Sequence, residues 1–270
     1  MEKLTDNLRG RDLLSLHDFT PQEIMQILDV ADDLKSWQKK KEPHHYLQGK
    51  SLGMIFQKSS TRTRVSFEVG IYQLGGQALF LSSSDIQLGR GESVADTARV
   101  LSRFVDGIMI RTFAQSDVEE LARHADVPVI NGLTDLLHPC QILADLQTIR
   151  EQKGRLAGLK LAYVGDGNNI AHSLLFGCAK TGINISVASP DGYRPDEKIV
   201  APAREDAALT GAKIEILTSP AEAVKGADVV VTDVWASMGQ EAQQQERVKI
   251  FAGYQVNEEL MSHAAKDYIF

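Results

Sequence analysis

The chain has 270 residues, 43% of them hydrophobic and 24% charged, with a formal net charge of −7. A chain of that size buries ample core without disulfides or a metal, and it has room for one large α/β domain or two of about 130 residues each. The acidic balance argues against nucleic acid as a partner, and no apolar run approaches the ~18 residues that a membrane helix needs.

The N-terminus, Met1 to Gly10, is polar and holds no signal-peptide core. The two cysteines, Cys140 and Cys178, stand in no metal-binding spacing and fit a reducing compartment, and because no targeting segment is visible the cytoplasm is the expected location.

In chain order, Thr20-Pro21-Gln22-Glu23 is a capping box with proline at the first helical position, followed by Ile24, Ile27, Leu28, Ala31 and Leu34 at helical spacing. Lys39-Lys40-Lys41 reads as a solvated helix end. Ser51 to Phe56 is a short buried strand, and a helix from Thr63 to Leu74 stops at Gly75-Gly76. Strands follow at Ala78 to Leu81, Gly107 to Ile110 and Val127 to Ile130, with helices at Ser93 to Phe104 and Ser116 to His124. A longer helix, Pro139 to Gln152, closes this half.

The second half repeats the alternation without repeating the sequence. Its strands are Lys160 to Val164, Ile183 to Ala188, Lys213 to Leu217 and Val229 to Thr232. Helices lie between them at Ile170 to Lys180, Asp196 to Ala208 and Pro220 to Lys225. The pattern predicts an α/β protein of two doubly wound parallel-sheet domains, 1–150 and 151–270, joined by the Pro139 helix. Gln240 to Arg247, polar and biased in composition, reads as a mobile loop.

In open parallel sheets ligands bind beyond the carboxyl ends of the strands. Ser59-Ser60-Thr61-Arg62-Thr63-Arg64 lies in such a place, after a strand and at the opening of a helix. Unpaired N–H groups and the positive dipole end attract an anion there, and the hydroxyls and guanidinium groups suit phosphate. Taken singly, these residues would be a helix cap and surface charges. The GxxxxGK[ST] spacing of a Walker loop is absent.

The segment Phe56 to Glu68, FQKSSTRTRVSFE, resembles the phosphate-binding signature of the aspartate/ornithine carbamoyltransferase family, with Gln57 where the family usually carries an acid. Four further segments resemble that family in the expected order. Their likeness implies that carbamoyl phosphate is held by Ser60, Thr61, Arg62, Thr63, Arg111, His138 and Gln141, with Gln87 reaching a neighbouring subunit's site. His138 is implied to meet the carbamoyl carbonyl oxygen and Gln141 the carbamoyl nitrogen. Alone, Gln87 would sit in a glycine-rich surface loop, Arg111 would be surface charge, and Pro139 would only start a helix.

Val164-Gly165-Asp166-Gly167-Asn168-Asn169 has the look of a dinucleotide fingerprint, but Ile170 stands where glycine or alanine is needed, so a nicotinamide site is weakly supported. The resemblance implies instead that Asn169 meets the α-groups of an amino acid. Asp233-Val234-Trp235-Ala236-Ser237-Met238-Gly239 resembles the family's ornithine loop, in which Asp233 meets the α-amino group and Ser237 and Met238 touch the substrate. The implied reaction transfers a carbamoyl group to L-ornithine without a cofactor. In it Arg111, His138 and Thr63 clamp the carbonyl oxygen.

A homotrimer, or an assembly of trimers, is implied. Family members continue past a Tyr-Ile-Phe-like strand to a His-Cys-Leu-Pro motif, a late arginine and a helix. This sequence stops at Asp267-Tyr268-Ile269-Phe270, so a truncated chain is expected, and Cys140 is no stand-in for that cysteine. The rival readings are a transcarbamylase for putrescine, aspartate or an N-acylated ornithine, and a chain that binds carbamoyl phosphate without turnover.

Overall fold

The computed structural model describes residues 8–87, 91–236 and 244–270. They divide into two compact units, one of residues 8–18 with 26–140, the other of 19–25 with 141–270. The sequence boundary between them falls in the first turn of α5 (Pro139–Lys153).

The opening helix α1 spans Pro21–Lys40. Its capping box is reciprocal: Glu23 N–H donates to Thr20 Oγ1 at 3.2 Å, and Thr20 N–H to the Glu23 carboxylate at 2.8 Å.

The first unit is built on four parallel strands, β1 (Ser51–Phe56), β2 (Gln77–Ser82), β3 (Gly107–Arg111) and β4 (Val129–Leu133), in the order β2-β1-β3-β4. Central β1 and β3 are almost wholly buried, as their unbroken apolar sequences require. Edge strand β2 is largely exposed. Sequence periodicity started β4 at Val127, but pairing begins at Val129, after Pro128 has given only its carbonyl, to Ile108 N–H at 2.9 Å. Proline has no N–H for a ladder.

Helices α2 (Thr61–Gln73), α3 (Val94–Leu101) and α4 (Gln115–His124) link the strands. α2 ends where expected: Gly75 takes φ +85°, a left-handed turn that a glycine adopts without strain.

The second unit repeats the plan. Strands β5 (Lys160–Val164), β6 (Asn184–Ala188), β7 (Ile214–Leu217) and β8 (Val229–Val231) run parallel in the order β7-β6-β5-β8. Its helices are α6 (Asn169–Thr181), α7 (Glu197–Thr210), α8 (Pro220–Val224), α9 (Gln244–Ile250) and α10 (Glu258–Met261). One element departs from the sequence reading. Of the segment Gln240 to Arg247, expected as a mobile loop, residues 240–243 lie outside the described residues, whereas Gln244 to Arg247 form the first turn of α9, and Arg247 is buried. Tertiary pairing of that arginine outweighs the polar composition.

Each sheet has one switch point, where successive connections leave a strand in opposite directions. In the first unit it lies between β1 and β3, in the second between β5 and β8. The crevice at such a point is where open α/β sheets hold ligands. Both switch points are stapled from below by an aspartate. Asp106, just before β3, accepts from Ser51 N–H at 2.9 Å, and Asp228, just before β8, accepts from Lys160 N–H at 2.8 Å.

Candidate active site

In the first unit, Ser60 caps α2 and accepts from Thr63 N–H at 3.2 Å. Its own hydroxyl donates to Thr63 Oγ1 at 3.1 Å, and Arg111 Nη1 donates to that same oxygen at 3.3 Å. The loop after β1 and the end of β3 are thereby joined through Thr63. Thr61 and Arg62 are exposed in the first turn of α2. The opening turn of a helix is a place that suits an anion.

The electrostatics point the same way. Arg111 is only 8% exposed, and among the described residues its buried Nε makes no hydrogen bond. Burial, and then the charge of Arg62, pull its pKa below the usual guanidinium value. Two neighbouring cations and an unpaired buried donor call for an anion with several acceptor oxygens.

His138, at the end of the loop after β4, is held down to a pKa of about 4 by burial and by Arg111. It is therefore neutral at pH 7 and can donate one N–H to a neutral oxygen without adding charge.

Lys58 fastens the three loops of this cluster. Its buried ammonium pairs with Asp135, three residues before His138, and lies 4.5 Å from the ring centre of Phe113, two residues after Arg111. Gln57 accepts a hydrogen bond from Thr112 Oγ1 through its amide oxygen. An acceptor oxygen is what an acid would also supply there. Gln87, on the loop after β2, is exposed.

The histidine makes a pH prediction. Unfolded, a histidine takes up its proton near 6.5, whereas folded His138 does so only near 4, so the unfolded state binds protons first and stability falls as pH drops. Between pH 7 and 5 this contribution is about 2 kcal/mol. Urea midpoints at both pH values are expected to fall further in the parent than in His138→Gln, and equal falls would contradict it.

In the second unit, Asn168 caps α6 and accepts from Ile170 N–H at 3.0 Å and Ala171 N–H at 3.2 Å. Its amide nitrogen donates to Asp233 Oδ2 at 2.9 Å. This bond joins the loop after β5 to the loop after β8, across the switch point. Asp233 borders a cavity of about 400 Å³ walled by Trp235, Val248, Tyr254 and Val256. Asn169, the first residue of α6, is half-buried. Ser237 and Met238 lie outside the described residues.

Sequence reasoning passed over Asn168 as a site residue, although an asparagine before a helix is a cap signal. It also missed Arg247, which donates to Asp166 at 2.6 Å and to the Trp235 carbonyl at 2.8 Å. That arginine fixes the backbone two residues before Ser237. Gln141, on α5, donates to Asp145 at 2.9 Å.

Gly167 is required by packing. A Cβ added there runs into Pro195 N and Arg194 C of a neighbouring backbone, while Gly167 N–H donates to Tyr193 O at 2.8 Å. Gly167→Ala is expected to cost at least about 1–3 kcal/mol, because backbone cannot step aside as a side chain can. Chemical denaturation checks this, and an unchanged midpoint would refute it.

Among the described residues, no group of histidines, cysteines and carboxylates fits a metal ion, and no helix is long and apolar enough to cross a membrane.

Comparison with known proteins places both halves in one family. Residues 11–151 match the family described as "Aspartate/ornithine carbamoyltransferase, carbamoyl-P binding domain", and residues 157–270 match "Aspartate/ornithine carbamoyltransferase, Asp/Orn binding domain". A protein of Thermococcus kodakarensis named ornithine carbamoyltransferase is 61% identical over 264 residues, which is 98% of this chain and 84% of that relative. One of Pyrococcus furiosus, named "Ornithine carbamoyltransferase, anabolic", is 58% identical over 264 residues, 98% of this chain and 84% of its own length. The solved ornithine carbamoyltransferase of P. furiosus has a TM-score of 0.95 at 58% identity, over 97% of this chain and 84% of that one.

Proposed function

The chain belongs to the aspartate/ornithine carbamoyltransferase family, and from that premise we propose that it transfers the carbamoyl group of carbamoyl phosphate to the side-chain amine of L-ornithine, giving L-citrulline and phosphate. The observation that carries this reading is the pair of cations Arg111 and Arg62 beside the Ser60–Thr63 helix start, with the buried Nε of Arg111 making no hydrogen bond among the described residues. The close relatives named ornithine carbamoyltransferase favour ornithine over other acceptors, as does an Asp233 carboxylate already oriented by Asn168.

In this reading residues 1–150 bind carbamoyl phosphate and 151–270 bind ornithine. Ser60, Thr61, Arg62 and Thr63 hold the phosphate, Gln87 serves a neighbouring subunit, and Gln141 meets the carbamoyl nitrogen. Asn169, Asp233, Ser237 and Met238 hold ornithine. The amine, whose lysine-like reference pKa is about 10.4, gives up one proton to solvent before it attacks the carbamoyl carbon, and its second proton departs with the leaving phosphate. Charge then gathers on the carbonyl oxygen, where Arg111 and Thr63 with the neutral N–H of His138 stabilise it, and phosphate leaves.

We also propose a trimer. Val65, Val69 and Tyr72 form an exposed apolar stripe on α2, the helix that packs beside Phe80 of edge strand β2, and a patch of this kind supports subunit contact. Two thiols free of any disulfide support the cytoplasm as location.

The test is an acceptor panel at saturating carbamoyl phosphate, with products identified by mass spectrometry. Citrulline should dominate when ornithine, putrescine, aspartate and N-acetylornithine compete. A different carbamoylated product would replace the ornithine reading.

A further inference from the structure

Gln141 and Asp145 stand at i and i+4 on α5, stacked on one face of the helix. The Gln141 amide donates from Nε2 to Asp145 Oδ1 at 2.9 Å. A carboxylate only accepts hydrogen bonds, so Asp145 decides which end of the amide faces it. The NH2 turns to Asp145 and Oε1 turns away. Among the described residues, that oxygen accepts no hydrogen bond. Burial pushes the Asp145 carboxyl up, and the bond from Gln141 opposes that shift, as a donor to the charged form does.

We propose that Asp145 is a positioning residue that turns the amide oxygen of Gln141 toward the ligand, and so selects an acyl phosphate bearing NH2 over one bearing a methyl group in its place. The proposal rests on the reading above, in which Gln141 meets the carbamoyl nitrogen. A carbamoyl group and an acetyl group have nearly the same shape, so shape alone separates them poorly. A fixed acceptor separates them by chemistry: NH2 donates to it, whereas methyl covers it and leaves it unpaired. An unpaired, covered acceptor lowers affinity by about 5- to 150-fold. An asparagine at position 145 carries both a donor and an acceptor, so the Gln141 amide can turn over and the preference is lost.

The test uses two stable phosphonates of matched shape, phosphonoacetamide and phosphonoacetone, with inorganic phosphate as the reference. Kd for each is measured by isothermal titration calorimetry on the parent, Asp145→Asn and Asp145→Ala. The parent is expected to favour the amide by about tenfold or more. Both variants should narrow that preference to about threefold while phosphate affinity stays within about twofold, as loss of one specific contact requires. The alanine variant buries no new donor, so it still reads the effect if the asparagine variant fails to fold.

An amide preference of about tenfold or more in either folded variant overturns the role of Asp145. So does a parallel loss of all three ligands, which is the mark of a structural residue. A parent that binds phosphate but not phosphonoacetamide overturns the carbamoyl phosphate reading itself, and the proposal with it.

Discussion

Replacing Arg111 by methionine is expected to lower citrulline formation by about a hundred- to a thousandfold, the usual effect of removing one preorganised donor from a developing oxyanion. The same change should leave the free protein as stable as the parent or more so. In the free chain this guanidinium is buried, its Nε is unpaired among the described residues, and Arg62 repels it. Its hydrogen bond to Thr63 Oγ1, at 3.3 Å, is long.

Methionine fills much of the same space without a charge, and exchanging a strained buried charge for apolar packing is often stabilising. Activity and stability should therefore move in opposite directions, as they do where strain serves a ligand. Thermal unfolding and initial rates on the same preparation decide it. If both fall together, Arg111 supports the fold and the anion-site assignment is wrong.

Asp233→Asn should raise KM for ornithine by at least about thirtyfold, the lower end of the cost of leaving a charged ligand group without its partner. KM for carbamoyl phosphate should change by less than about threefold, because no contact to that substrate is removed. Asparagine keeps an oxygen to accept from the Asn168 amide, so the bridge across the β5–β8 switch point survives and only the charge is lost. Steady-state kinetics with each substrate varied in turn separates the two constants. Equal rises in both would mean that Asp233 holds the loop rather than the amine.

Much of this was legible in the chain itself. Buried central strands of a parallel sheet read as unbroken apolar runs, which is why β1, β3 and β5 stand out. The capping box at Thr20 and the glycine stop at Gly75 are local chemistry, set within a few residues. The clustering of Ser, Thr and Arg residues at one helix start, from which the anion site is proposed, was legible too.

What escaped was the long-range pairing that holds the loops in place. Asp166 and Arg247 are 81 residues apart, and Lys58 and Asp135 are 77 apart. No periodicity or cap signal links residues at such distances. Composition was misleading at Gln244 to Arg247, since a polar run carries no sign that one of its arginines will be drawn inside by a carboxylate. The aspartates before β3 and β8 were missed for the same reason. They occupy the same place in two units whose sequences do not repeat.

The most direct measurement is citrulline formation from carbamoyl phosphate and L-ornithine by the 270-residue chain beside Arg62→Ala, with carbamoyl phosphate binding followed on the same samples. Arg62 stands exposed at the start of α2, so its removal tests the proposed site without disturbing the core. The account predicts product and tight binding for the parent, and loss of both in the variant. Equal binding by parent and variant, or binding by neither, would contradict it.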